Sequence, residues 1–168
     1  ALKGDQRASR KLGDRHMQTN MNLARRMLGD EAEAEDVVQD CFMRLWKHGH
    51  RWDPGRAKLS TWLYQVTLNL CRDRLRRRKN HDHEAVSMLV DHGPEPEELR
   101  SRDERAGVLH TAIQGLPQRQ REALLLCHFE GMGNIEAAEC MGVSVRAMES
   151  LLGRARRSLR GTLQATLA

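Results

Sequence analysis

The feature that most constrains the fold of this sequence is a helix-turn-helix pattern between residues 134 and 160. Its first helix, Asn134 to Met141, is short, and Gly142 after it permits the left-handed backbone of a tight helix ending. Ser144 suits the cap of the second helix, because its hydroxyl can accept a free amide of the first turn. Apolar residues then recur at helical spacing as one stripe. They are Val145, Met148, Leu152, Ala155 and Leu159.

The opposite face of this second helix is polar and rich in arginine. It carries Arg146, Ser150, Arg154 and Arg157, with Glu149 as the one acid. Arginine can contact guanine or phosphate in a DNA major groove, while the apolar stripe docks the helix on its supports. The alternative is an ordinary amphipathic surface helix with solvated arginines, because short helix-turn-helix patterns also arise without DNA binding.

Length and composition predict an all-α protein of one domain or two small ones. The chain has 168 residues and only 4% aromatic residues, and Leu, Ala, Arg and Glu dominate it. The cysteines at 41, 71, 127 and 140 each lie inside an apolar helical pattern. This placement favours reduced thiols in a cytoplasmic protein. No apolar run reaches membrane-spanning length and no leader pattern is present, so we expect no membrane insertion.

The distribution of charge predicts two basic modules joined by an acidic linker. Residues 1–80 hold 18 Lys and Arg against 10 acidic residues, a net of +8. Residues 81–100 hold one Arg against 6 acids, a net of −5, and residues 101–168 have a net of +2. Two basic ends indicate that both modules meet a polyanion. We therefore predict domains at 1–80 and 99–168, with a flexible linker at 81–98.

A helix from about residue 31 to Lys47 is predicted to offer a docking surface. Asp30 and Glu33 resemble a capping box at its start. Its core face is wide, and its outer face is acidic and partly apolar. That outer face carries Asp36, Gln39, Asp40, Met43 and Lys47. Such a face suits contact with another protein, and the alternative is an ordinary solvated face.

A second helix, beginning at Ser60, combines aromatic, amide and hydroxyl groups with a basic end. Its wetter side is predicted to hold Thr61, Tyr64, Gln65, Asn69, Arg72 and Arg76. Aromatic rings stack on unpaired bases and cations hold the backbone, so the combination is typical of single-stranded nucleic-acid binding. Basic residues also favour a helix C-terminus on their own, so the basic run alone is weak evidence. Trp52, in the preceding polar loop, either packs on the core or offers its ring to a partner.

The sequence provides little evidence for catalysis or for metal binding. Asp36, Asp40, Asp53 and Asp73 lack a tight metal-ligand spacing, and no Ser-His or His-Cys constellation appears in a glycine-rich loop. The histidines at 81, 83 and 92 lie in the predicted linker, which offers no fixed coordination geometry. We expect no enzymatic activity, no cofactor and no metal site, and we keep metal sensing and a nuclease as weaker hypotheses.

Taken together, three stretches resemble the extracytoplasmic-function (ECF) sigma factors, the small two-domain class of bacterial sigma factor. AEAEDVVQDCFMRLWKH resembles region 2.1–2.2 of that family, and STWLYQVTLNLCRDRLRRR resembles region 2.3–2.4. LPQRQREALLLCHFEG followed by IEAAECMGVSVRAMESLLGRARRSLR resembles region 4. The three stretches follow the family's order and cover more than half of the chain. The resemblance implies a region 2 helical bundle and a region 4 helix-turn-helix.

The resemblance also implies roles for matching positions. Contact with the β′ clamp helices of core RNA polymerase is expected at Asp36, Gln39, Asp40 and Met43. Binding of the −10 promoter element is expected at Trp52, Lys58, Ser60, Thr61, Tyr64, Asn69, Arg72, Arg76 and Arg77. Binding of the −35 element is expected at Ser144, Arg146, Glu149, Ser150, Arg154 and Arg157. Region 4 is further expected to contact the β flap, and an anti-sigma factor is expected to hold the protein inactive.

Several positions depart from the family pattern. Glu149 stands where lysine is common and Leu151 where arginine is common. An acid that faces phosphate reduces affinity for DNA, whereas an acid that faces cytosine can specify that base. Asp40 stands where glutamate is usual, and Gly133-Asn134 interrupts the usual start of the helix before the turn.

The resemblance implies an alternative sigma factor of a stress or envelope-response regulon. The rival hypothesis is a stand-alone helix-turn-helix regulator with an N-terminal dimerisation domain. That rival explains the C-terminal stretch equally well, but it leaves the acidic docking helix and the aromatic-basic helix unexplained. Binding to core polymerase, as opposed to dimeric binding of duplex DNA, distinguishes the two.

Overall fold

The computed structural model of the chain describes residues 2–48, 58–84 and 102–167. It consists there of seven α-helices and one π-helical turn, without strands, which confirms the all-α prediction. The helices are α1 (Leu2–Leu28), α2 (Glu31–His48), α3 (Leu59–Glu84), α4 (Arg102–Gln114), α5 (Gln118–Leu124), α6 (Asn134–Met141) and α7 (Val145–Leu167), with the π-helical turn at Leu125–Phe129. The loop with Trp52 and most of the predicted linker lie outside the described residues.

The first domain is a bundle of α1, α2 and α3. Its core is apolar, and the side chains with no exposed surface include Leu23, Met27, Val37, Leu63 and Leu68. Because these side chains belong to one buried cluster, the apolar faces of the three helices converge.

The turn between α1 and α2 is capped as the sequence predicts. The amide of Glu33 donates to the carboxylate of Asp30 at 2.9 Å, which is the first half of the predicted capping box. The second half does not form, because the Glu33 side chain instead pairs with Arg78 of α3. Glu33 therefore links the start of α2 to α3. Helix α3 itself continues to Glu84 and so covers the first four residues of the predicted linker, which was placed at 81–98.

The second domain contains the predicted helix-turn-helix in α6 and α7. Gly142 ends α6 with a φ of 68°, the left-handed conformation expected of it. Ser144 caps α7 as predicted, since its Oγ accepts a hydrogen bond from the Ala147 amide at 3.1 Å. The predicted apolar stripe is buried at Met148, Leu152 and Ala155.

The buried part of two helices is shorter than their apolar pattern. Val145, which the sequence analysis placed in the apolar stripe of α7, is 38% exposed. In α4, Ala106 and Leu109 share helical spacing with the buried Ile113 but are exposed. Leu109 borders an open groove, so no helix covers it. Helical spacing identifies the buried face but not where along the helix the neighbouring element stops.

The two domains pack against each other, a question that the sequence left open. Their buried apolar residues form one continuous cluster from Leu23 in α1 to Ala155 in α7. Arg121 of α5 is buried at this junction, where its guanidinium donates to four backbone carbonyls. The acceptors are those of Met27 at 2.6 Å, Gln114 at 2.6 Å, Ile113 at 3.1 Å and Leu116 at 3.2 Å. Because the last carbonyls of a helix lack partners within it, Arg121 satisfies the ends of α1 and α4 together.

Candidate nucleic-acid interfaces and docking surfaces

The outward face of α7 is fully available to a ligand. All six residues predicted to bind the −35 element are exposed, and helical spacing distributes them over nearly four turns of α7 and its cap. They are Ser144, Arg146, Glu149, Ser150, Arg154 and Arg157. The neighbouring Arg156 points elsewhere, because its guanidinium lies 3.2 Å from the His128 ring nitrogen of the π-helical turn. The helix therefore presents an arginine-rich face of major-groove dimensions.

The outward face of α2 carries the four residues predicted to contact core polymerase. Asp36, Gln39, Asp40 and Met43 are all exposed, and Met43 retains 51% of its surface. Asp36 makes one long ion pair, at 3.7 Å, with Arg74 of α3. An exposed pair of this kind contributes little stability, so the carboxylate remains available to a partner.

Trp46 extends this face and was missed in the sequence analysis. It is 91% exposed, the largest exposed fraction among the large hydrophobic side chains of the described residues. Its position three residues after Met43 placed it on the same side of the helix, so the sequence did contain the signal. A tryptophan that is exposed in the free chain is typical of a residue that a partner protein buries on binding.

An open groove of about 830 Å³ lies between α1 and α2, beside the acidic face. Its apolar lining includes Met17, Met21, Val38, Phe42 and Trp46. The sequence did not predict this groove, because it depends on how α1 packs across α2. The weak apolar pattern of α1 gave no sign of that packing.

A second open groove, of about 880 Å³, lies on the second domain between α4, the π-helical turn and α7. Its apolar walls include Leu109, Ile113, Phe129, Leu159 and Leu163, and its rim carries His128, Arg156 and Arg160. Apolar grooves with a charged rim are suited to receive an amphipathic helix.

Helix α3 divides the residues predicted to bind the −10 element into two groups. Lys58, Asn69, Arg76 and Arg77 are exposed, and Ser60 is half-buried. Arg76 pairs with Asp73 in its own helix at 3.4 Å. Trp52 lies outside the described residues. This exposed group is available to a polyanion in the structure as it stands.

The second group is covered by the second domain, which corrects the prediction that these side chains lie on the wet side of α3. Thr61 is only 5% exposed and Tyr64 only 8%. The Thr61 hydroxyl donates to Glu136 of α6 at 3.1 Å, and the Tyr64 hydroxyl donates to Glu130 at 2.9 Å. The packing of α6 on this face of α3 depends on residues far apart in sequence, so the local pattern of α3 does not reveal it.

Arg72 completes the covered group through a bidentate ion pair. Its Nε and Nη2 atoms each lie 2.8 Å from an oxygen of Glu122 in α5, whose side chain is fully buried. The hydrogen bonds that Arg72 donates to Glu122 raise the pKa of Arg72, so the guanidinium remains charged. Burial raises the pKa of Tyr64 to about 12, and burial also raises the pKa of Glu130 above its usual range.

The rate at which each cysteine reacts with a thiol reagent depends on how deeply the helices bury it. Burial raises the pKa of Cys71 and Cys140 to about 12 and also raises the pKa of Cys41 and Cys127. At pH 8, a thiol with a pKa of about 12 is ionised in roughly one molecule in 10,000, so Cys71 and Cys140 react slowly. We predict that Cys127, the only half-exposed thiol of the four, reacts first with a thiol reagent at pH 8. A Cys127→Ser variant should lose the fast phase, and a fast reaction at Cys140 would contradict the buried placement.

Within residues 2–48, 58–84 and 102–167, no helix combines the length and the apolar composition needed to cross a bilayer. In the same ranges, no cluster of three histidine, cysteine or acidic side chains has the arrangement to hold a metal ion.

Comparison with known proteins supports the two-module organisation. Residues 12–81 match the family model of Sigma-70 region 2, and residues 106–159 match that of Sigma-70 region 4. The chain is 31% identical to the ECF RNA polymerase sigma factor SigW of Bacillus subtilis, over 96% of this chain and 92% of that protein. It is 34% identical to the RNA polymerase sigma factor CnrH of Cupriavidus metallidurans, over 98% of this chain and 91% of that one.

Not every relative has the length of this chain. The ECF sigma factor SigE of Mycolicibacterium smegmatis is 33% identical over 88% of this chain, but the match covers only 58% of that protein.

Two solved structures resemble this fold over nearly its whole length. CnrH in complex with the cytosolic domain of CnrY has a TM-score of 0.69 and 31% identity, covering 97% of this chain and 92% of that one. The sigma factor RpoE in complex with the anti-sigma factor NepR, from Bartonella quintana, has a TM-score of 0.77 and 23% identity, covering 94% and 97%. The second likeness concerns the fold alone.

Proposed function

The chain belongs to the extracytoplasmic-function sigma factors of RNA polymerase, and we propose that it directs core polymerase to promoters with −35 and −10 elements. The observation that carries this proposal is the coexistence of two surfaces on one chain. One is the exposed arginine face of α7, and the other is the exposed acidic face of α2. A stand-alone regulator needs the first surface but not the second, and its hypothesis is also disfavoured by the region 2 match over residues 12–81.

Core polymerase is proposed to bind the acidic face of α2. Asp36 and Asp40 offer charge, Gln39 offers hydrogen bonds, and Met43 and Trp46 offer apolar area at one end. Aromatic and methionine side chains next to charged groups are typical of protein interfaces. Co-elution of the purified chain with core polymerase tests the assignment, whereas a dimer that binds duplex DNA without polymerase would favour the rival regulator.

The −35 element is proposed to bind the arginine face of α7, and its salt dependence provides a test. Replacing Arg154 and Arg157 with alanine should weaken duplex binding and lower the slope of log K against log salt by about 2, because each phosphate contact contributes about 1. The matched control replaces Arg156 and Arg160 with alanine, which removes the same two charges from the side of α7 that lines the groove of the second domain. Equal slopes for all three proteins would contradict the assignment.

Capture of the −10 element is proposed to need both groups of α3 side chains. The exposed basic group, which includes Lys58, Arg76 and Arg77, can hold the backbone of a single strand in the packed structure. The ring of Tyr64 can stack on a base only after the second domain has moved away, because that domain covers it. Promoter melting therefore requires separation of the two domains.

An anti-sigma factor is proposed as the regulatory partner, and the two open grooves are its proposed binding sites. The groove between α1 and α2 and the groove on the second domain are both open and lined mainly by apolar residues, which suits the apolar face of an amphipathic helix. The structural likeness to CnrH, which is bound to the cytosolic domain of CnrY, supports regulation by a protein partner. The protein is further proposed to act in the cytoplasm, where polymerase resides, as an initiation factor without catalysis of its own and without a cofactor.

A further inference from the structure

We propose that Met17 and Met43 form a modification site, at which a peroxide converts their thioethers to sulfoxides and thereby weakens the docking of core polymerase on α2. The inference rests on the proposed role of α2 and adds a chemical control of the same surface. Both side chains line the open groove between α1 and α2. Met17 keeps 47% of its surface exposed, and Met43 keeps 51%.

These two methionines differ in exposure from the others of the described residues. Met21 lines the same groove but is half-buried. The remaining ones are buried in the helical core and are Met27, Met132, Met141 and Met148. A thioether is oxidised readily only where a peroxide can reach its sulfur. Exposure therefore directs the oxidation to the groove.

The reaction needs only a peroxide as co-reactant. A lone pair of the methionine sulfur attacks one peroxide oxygen, so that an S–O bond forms and the O–O bond breaks. The sulfur is oxidised by two electrons. The leaving oxygen takes up the peroxide proton, which reduces an alkyl peroxide to an alcohol and hydrogen peroxide to water. The product, methionine sulfoxide, is polar, and methionine sulfoxide reductases convert it back to the thioether.

The groove is continuous with the surface proposed to bind polymerase. Gln39 and Met43 belong to that surface and also line the groove. The charged residues of the groove lining are Asp14 and Glu35, both acidic, as is the outer face of α2. A basic partner surface therefore complements the groove and the face together. Such a partner, seated on α2, covers Met43 and reaches Met17 across the groove.

The change from thioether to sulfoxide opposes this docking. Methionine is flexible and polarisable, so in its reduced form it adapts to the apolar surface of a partner. The sulfoxide adds a strong hydrogen-bond acceptor beside Val38 and Phe42, whose side chains donate no hydrogen bond. Burying that oxygen without a donor costs free energy that the reduced side chain does not pay.

The test follows oxidation and polymerase binding in the same protein, with tert-butyl hydroperoxide as the probe. Peptide mass spectrometry locates each added oxygen atom. We expect Met17 and Met43 to be oxidised at least about tenfold faster than Met27 and Met148, which have no exposed surface. Dithiothreitol then restores oxidised thiols but leaves sulfoxides intact. The affinity for core polymerase, measured by fluorescence anisotropy, should fall at least about tenfold and recover after treatment with methionine sulfoxide reductases.

Two matched double variants connect the oxidised sites to the lost affinity. Met17→Leu with Met43→Leu removes both exposed thioethers and keeps apolar side chains of similar volume. Whatever its starting affinity, the values before and after peroxide should agree within about twofold. Met27→Leu with Met148→Leu removes two buried thioethers and should lose affinity on peroxide treatment as the wild type does. An equal loss in the first variant would overturn the inference, because another side chain would then be the target.

The site selectivity, the effect on docking and the proposed function fail on different results. Oxidation of exposed and buried methionines at similar rates would overturn the selectivity. Sulfoxides at Met17 and Met43 without a loss of affinity would overturn the effect on docking. Failure of the untreated wild type to bind polymerase would overturn the proposed sigma function and the effect on docking with it, and the peroxide map would still decide whether the groove is the oxidised site.

Discussion

Replacing Arg121 with methionine is expected to lower the free energy of unfolding by about 3 kcal/mol. The guanidinium donates to carbonyls in both domains, including that of Met27 at 2.6 Å and that of Gln114 at 2.6 Å. Methionine keeps much of the apolar stem and donates no hydrogen bond, so these buried acceptors lose their partner. Arg121 is only 9% exposed, so water is a weak substitute for the lost donor, and the same burial lowers the pKa of its guanidinium.

The matched control for this change is Arg119→Met in the same helix. Arg119 is exposed and lies two residues before Arg121, so its substitution should change stability by less than about 0.5 kcal/mol. Urea unfolding followed by circular dichroism measures both variants. A similar small effect for the two substitutions would show that the carbonyls around Arg121 find other donors, and that the buried arginine does not hold the domains together.

Reversing two charges on α2 is expected to weaken binding to core polymerase by at least about 100-fold. Asp36→Arg with Asp40→Arg changes exposed side chains, so the fold should persist. Like charges brought together at an interface cost several kcal/mol, and the change reverses the charge of the whole outer face. Fluorescence anisotropy of labelled sigma factor titrated with core polymerase measures the affinity.

The control for this prediction reverses two exposed acids away from α2. Asp82→Arg with Glu104→Arg makes the same change in net charge at the end of α3 and in α4. This control should bind polymerase within about threefold of the wild type, since rim charges act mainly through long-range steering. Retained binding by the α2 variant would remove the acidic face from the polymerase interface and leave the sigma assignment to other surfaces.

Local patterns predicted the helices and their caps because those features depend on residues close in sequence. Gly142, Ser144 and Asp30 each adopt the conformation or hydrogen bond that their chemistry indicated. The exposed faces of α2 and α7 followed in the same way, since helical spacing alone separates wet from buried positions. The roles assigned to those faces remain predictions.

Contacts between distant residues could not be predicted from one sequence. Tyr64 and Glu130 are 66 residues apart, and nothing in the pattern around either residue indicates the other. The tyrosine was assigned to solvent because its neighbours in α3 are polar, and those same polar neighbours proved to be partners of the second domain. The groove beside Trp46 was missed for a related reason, as one of its walls is the weakly patterned α1.

In the packed chain, the residues proposed to bind the −35 element are exposed, whereas some of those proposed to bind the −10 element are covered. The proposed −35 surface on α7 needs no rearrangement, because all six of its predicted residues are exposed. In the proposed −10 surface on α3, Thr61, Tyr64 and Arg72 each donate a hydrogen bond to a glutamate of the second domain. Under these proposed roles, capture of melted DNA needs a conformational step that recognition of duplex DNA does not.

Run-off transcription with core polymerase on genomic fragments of the source organism tests the central claim most directly. With this protein added, we predict discrete transcripts that begin at a shared promoter sequence, and we predict their loss with the Asp36→Arg and Asp40→Arg variant. Core polymerase alone should give none of these transcripts. An absence of promoter-specific transcripts with the folded wild-type protein, together with polymerase-independent binding of duplex DNA by a dimer, would contradict the account.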